Sequence, residues 1–159
     1  MSKQYYHADS YDTRGSVGYL VKRAHGLALD AIEPELARHG LTFTQYAVLM
    51  SVRDGIALNP KDLCIQLRHD SGALTRLLDQ LESRGLVQRQ RSAEDRRSIE
   101  VHLTEAGEQA LRSVIPLVVD RINQALKNFT HAEVDELLRL LNKLTLGWQD
   151  ELAASGAQS

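Results

Sequence analysis

Apolar residues recur three and four apart through most of this chain, and the breaks in that rhythm mark its elements. Across residues 11–39, Val17, Leu20, Val21, Ala24, Leu27, Ala28, Ala31, Ile32 and Leu36 make a wide stripe on one helix, which Gly40 closes. Pro34 lies inside the stripe and lacks an N–H, so a kink or break is expected at residues 30–33. Thr42 or Thr44 caps a second helix that runs to about Arg53, with Tyr46, Leu49, Met50 and Val52 for the core. Residues 56–58 suit a short strand. Asn59 then caps a helix over 60–68 that starts with Pro60 and buries Leu63, Cys64 and Leu67.

After a turn at His69 and Asp70, Leu74, Leu77, Leu78 and Leu81 give residues 70–83 one apolar helical face, with Gly72, Thr75, Arg76 and Asp79 opposite. Asp70 or Ser71 marks its start and Gly85 its end. Two β-prone runs, 86–91 and 98–103, flank a polar, basic tip and predict a hairpin with which 56–58 would pair. Alternation turns Ile99, Val101 and Leu103 inward and Glu100 and His102 outward. Thr104 caps a long helix over 105–128, bent at Pro116, and Thr130 with Glu133 forms the capping box of a last helix.

That last helix carries Val134, Leu137, Leu138, Leu141, Leu144 and Trp148 as a continuous seam. It is more apolar surface than a nearby small core covers, so a partner is expected, and a second copy in a two-fold dimer is the simplest one. The alternative is that the terminal helices pack on their own domain.

Composition narrows the class. Only 5% of the 159 residues are aromatic while leucine is abundant, which favours helix packed on helix: a mainly α fold with a small β-wing. No apolar run approaches the roughly 20 residues that span a bilayer, and the N-terminal residues lack the order of a secretory signal. A cytoplasmic protein with no membrane partner is expected. A single cysteine, Cys64, forms no internal disulfide.

Charge is local. The formal net charge is −2, which argues against a polyanion-coating protein, yet residues 84–97 hold five arginines against Glu94 and Asp95. An arginine-rich hairpin directly after a helix with a small polar face suits duplex DNA, the helix reading base edges and the hairpin holding phosphate or a narrow minor groove. A solvated loop, or a patch for an acidic protein surface, is the competing reading. Enzyme activity is not expected: the chain has no phosphate-cradling glycine loop and no nucleophile elbow. Its six histidines are scattered with no zinc spacing, so neither metal nor cofactor is expected.

The run SGALTRLLDQLESRGLV, the pair Asp95 and Arg97, the segment LTEAG with Leu103, Thr104 and Gly107, and LTFTQYAVL over 41–49 together resemble the MarR family of winged-helix regulators. The resemblance extends over nearly the whole chain. It implies a winged helix-turn-helix lobe over 41–104, with an N-terminal helix at 11–40 and C-terminal helices at 105–153 forming a dimerisation lobe. It implies a homodimeric transcriptional regulator, a repressor, on a palindromic operator. Ser71, Gly72, Thr75, Arg76 and Gln80 would face DNA from the helix and Arg91, Asp95, Arg96 and Arg97 from the wing. Arg97 would hold phosphate or minor groove, and Asp95 would pair with the arginines or cap the hairpin turn.

Relatives are often released from DNA by small anionic aromatics such as phenolic carboxylates. Thr75 and Arg89 match positions that contact such a ligand, and Tyr19, His25, His39 and Tyr46 are candidates for a main cleft. Each has a competing role: Arg89 on phosphate, Tyr46 in the core, His25 on the helix surface. Some relatives sense oxidants through cysteine in the first helix, whereas Cys64 lies between Leu63 and Ile65 in the third, where a buried packing role is expected. A regulator that answers no ligand, and a winged-helix protein-interaction module, are the alternatives.

Overall fold

The computed structural model describes residues 4–92 and 97–156. Along the chain they form a 3-10 turn at Ala8–Ser10, then α1 (Val17–Arg38), α2 (Phe43–Arg53), α3 (Pro60–Leu67), α4 (Ser71–Ser83), β1 (Val87–Arg91), β2 (Ile99–Leu103), α5 (Glu105–Ala125) and α6 (His131–Gly156). Two compact units divide between Arg121 and Ile122.

Local chemistry sets the helix ends. Thr42 and Gln45 form a reciprocal capping box at α2. The Asn59 side chain accepts the Asp62 N–H at 2.9 Å, with Pro60 in the first turn where its missing donor costs nothing. Arg68 adopts a left-handed conformation, φ 51°, and makes the sharp turn into α4. There Asp70 Oδ1 accepts the N–H groups of Gly72 and Ala73, both at 3.0 Å. Gly85, φ 68°, ends α4 as expected.

The structure corrects several expectations. The first helix begins at Val17, not near Tyr11, because the Asp12 carboxylate takes the N–H groups of Arg14 and Gly15 and Ser16 caps the helix. The N–H of Val17 donates to the Tyr6 hydroxyl at 2.9 Å, and Tyr6 stacks edge-on with Tyr5 and Tyr11. Pro34 does not break α1. A proline inside a helix costs about 3 kcal/mol. Ile32 and Leu36, buried on either side of it, return about 1.5–3 kcal/mol each. The helix over 105–128 is shorter than expected: α5, with Pro116 inside it, ends at Ala125.

Residues 56–58 do not form a strand; Leu58 offers one carbonyl, which accepts the Val101 N–H at 2.6 Å. The sheet is therefore two antiparallel strands, with Val87 opposite Leu103 and Arg91 opposite Ile99. Inward alternation holds only at the base of the wing: Val101 is fully buried, but Ile99 is 48% exposed because the hairpin projects past the core. Cys64 is half-buried against the core rather than inside it.

One core runs through the first unit, built from Leu36, Leu49, Leu63, Leu74, Leu78, Leu81 and Val101 together with Leu111 and Val114 of α5. Gly107 lets α5 approach this closely: a Cβ there would sit 2.0 Å from the Leu86 carbonyl oxygen. In the second unit α6 buries none of its residues, and Leu138 and Trp148 stand 55% and 62% exposed. No helix among the described residues is long and apolar enough to cross a membrane.

Candidate nucleic-acid interface

The leucine face of α4 is committed to the core, so its opposite face is presented outward. Ser71, Thr75 and Arg76 are exposed there, beginning at the helix N-terminus, where the backbone N–H groups carry partial positive charge. The Thr75 hydroxyl donates to the Ser71 carbonyl at 2.8 Å. Gly72 is half-buried; a Cβ on it would lie 3.2 Å from Asp70 Oδ1 and 3.7 Å from Arg76 Nη1, so the arginine folds close over the first turn.

Gln80 lies at the edge of this face, and its amide is turned toward α2. Gln45 Nε2 donates to Gln80 Oε1 at 3.4 Å, while Gln45 Oε1 accepts from Arg84 Nη1 at 3.3 Å and from the Thr42 N–H at 3.1 Å. The buried Gln45 thus ties the second helix to the fourth. Its signal in the sequence is the spacing of Thr42 and Gln45, which fits a capping box but says nothing of Gln80 or Arg84.

The wing leaves α4 at Gly85. Val87, Arg89 and Arg91 alternate onto one face of β1, going from buried to half-buried to exposed. Arg89 is fastened to α4: its Nη1 donates to Asp79 Oδ1 at 2.7 Å and Glu82 Oε2 at 3.1 Å, and its Nη2 to the Thr75 carbonyl at 3.4 Å. Its backbone N–H donates to Glu82 Oε1 at 3.0 Å. Sequence reading missed Glu82 altogether, since a glutamate seven residues before an arginine across a turn carries no periodic mark. Arg91 and Arg97 are exposed, whereas Asp95 and Arg96 lie outside the described residues. In the turn before α4, Arg68 and His69 are exposed as well.

Of the residues considered for an effector, His25 and Tyr46 are brought together through Phe43, with ring centroids 6.3 Å and 6.2 Å apart. Burial pushes the Tyr46 hydroxyl above its ordinary pKa, so it stays protonated at neutral pH. Tyr19 is half-buried on α1, and His39 is the exposed residue that closes α1. Thr75 and Arg89 meet through the Thr75 carbonyl rather than its hydroxyl.

Comparison with known proteins gives this geometry a setting. The family model described as MarR family matches residues 41–99. The HTH-type transcriptional regulator SarZ of Staphylococcus haemolyticus is 36% identical over 109 residues, covering 69% of this chain and 71% of that protein. MgrA of Staphylococcus aureus, also an HTH-type transcriptional regulator, is 33% identical over 107 residues, covering 67% and 71%. Among solved structures, a cysteine-to-serine mutant of MarR from E. coli complexed with operator DNA aligns with a TM-score of 0.70 at 33% identity, covering 80% of this chain and 92% of that one.

Proposed function

This chain belongs to the MarR family of winged-helix transcriptional regulators, and from that premise we propose that it acts as a homodimeric repressor on a palindromic operator. The observation that carries the reading is the exposed polar face of α4 at Ser71, Thr75 and Arg76, beside a strand that ends in exposed Arg91. Small polar side chains at a helix N-terminus fit a major groove, and arginines on a projecting hairpin fit the flanking backbone or minor groove. The relative solved with operator DNA supports the same use of the fold. Two α4 helices related by a two-fold axis would read half-sites about one helical turn, roughly 34–36 Å, apart.

Dimerisation is supported by the apolar faces of α1 and α6, each exposed within its own unit: Val17, Leu20 and Leu27 on the first, Leu137, Leu138 and Trp148 on the second. Uncovered leucine on this scale is characteristic of a surface that another chain buries. The deciding experiment is selection of bound fragments from the source genome. Recovery of one imperfect palindrome upholds the reading, and recovery of no preferred sequence overturns it.

Release by a small anionic aromatic is a finer reading, supported by the run of rings His25, Phe43 and Tyr46 and by the protonated Tyr46 hydroxyl, a donor suited to a carboxylate. Titrating aromatic carboxylates into a gel shift of the recovered operator tests it. If none of them changes the shift, the regulator is ligand-independent toward this class.

A further inference from the structure

The Arg89 guanidinium is directed back along α4, not out to solvent. One nitrogen is shared between Asp79 and Glu82 and the other reaches the Thr75 carbonyl, close to the leading end of the helix. Glu82 holds Arg89 twice, by the side chain at 3.1 Å and by the backbone N–H at 3.0 Å. A carboxylate that grips both main chain and side chain of one strand residue sets the strand's distance from the helix and its rotation about its own axis. Charge-assisted bonds of this kind are directional and stronger than neutral ones.

Electrostatics sharpens the point. Asp79 and Glu82 bring two negative charges close to a face that must approach phosphate, which by itself opposes DNA binding. On the face of β1 that carries Arg89, the next outward residue is Arg91. Holding Arg89 therefore aims Arg91 relative to Ser71, Thr75 and Arg76.

We propose that Glu82 and Asp79, acting through Arg89, are positioning residues for sequence recognition: they lock the wing strand to the recognition helix so that the two engage DNA as one body. The inference rests on the DNA-binding function proposed above.

The test turns on sign. Wild type, Glu82→Gln, Asp79→Asn and Arg89→Lys are titrated, as full-length proteins, against a duplex recovered by selection with the wild type and a scrambled duplex of the same length. Were the two carboxylates only surface charges, their neutralisation would tighten binding to both duplexes and leave the ratio unchanged. As positioning residues, their loss weakens the selected duplex about tenfold, the size of one charge-assisted hydrogen bond, while the scrambled duplex is bound as well as before or better. Arg89→Lys, which keeps the charge and loses the fork, also lowers the ratio. Asp79→Asn leaves the Glu82 grip intact and keeps the test open should Glu82→Gln melt early. An unchanged ratio in folded Glu82→Gln and Asp79→Asn overturns the inference alone; a wild type that fails to discriminate between the duplexes overturns the underlying function instead.

Discussion

Glu35 in α1 is paired with Arg121 in α5, 86 residues further along the chain. Only 7% of Glu35 is exposed, and its second oxygen accepts from Arg38 at 2.6 Å. A buried carboxylate is tolerable because both oxygens have cationic donors, and losing one partner would strand the charge. The Arg121 hydrogen bond, ahead of the attraction of Arg38, holds the Glu35 carboxyl below its ordinary value of 4.5.

A depressed carboxylate pKa stabilises the fold above the unfolded value and stops doing so as pH falls through the folded one. Glu35→Gln is therefore expected to be less stable than wild type at neutral pH, with the gap closing as pH drops below about 4.5. Urea midpoints measured across that range check it; a gap independent of pH would remove the ion pair from the account.

Gly107→Ala is expected to be severe. The added Cβ would meet the Leu86 carbonyl oxygen at 2.0 Å, and that atom is backbone, which no side-chain rotation relieves. Overpacking of this kind costs roughly 3 kcal/mol, read as a lower urea midpoint. A near-neutral result would mean that α5 does not lie on the turn after α4 as described.

Arg76 and Arg91 should separate by kind of effect. Arg76→Ala is expected to cost about 1–3 kcal/mol on the selected site and to relax sequence preference there. Arg91→Ala is expected to weaken all duplexes alike and to flatten the salt dependence by about one unit. Fluorescence anisotropy at four salt concentrations distinguishes the two patterns, and uniform weakening by both substitutions would mean that both residues meet only phosphate.

Charge placed on the α6 seam should dissolve the proposed dimer. Leu141→Glu is expected to sediment as a monomer at micromolar concentration, where wild type is expected to run as a dimer, because a carboxylate buried between two copies would lack a partner. A monomeric wild type would assign these leucines to some other surface.

The outward face of α4 was legible from the chain. Leucine periodicity put Ser71, Thr75 and Arg76 on the face away from the core, and they are exposed. Gln80 belongs to the same pattern, but its amide meets Gln45, a residue 35 positions away. Periodicity assigns a face; it does not say which neighbour waits at the face's edge.

The sequence by itself determined the helix ends at Thr42, Asn59, Asp70, Gly85 and Thr130, because the groups that cap there act on backbone atoms within about four residues; the start of α1 and the end of α5 were not among them. Only the tertiary structure decided what those helices do to one another. It kept Pro34 inside an unbroken helix, reduced the expected third strand to the single bond from Val101 to Leu58, and joined Arg89 to Asp79 and Glu82, and Glu35 to Arg121. Those outcomes depend on distances between elements, where burial and charge outweigh local preferences of a kcal/mol or so.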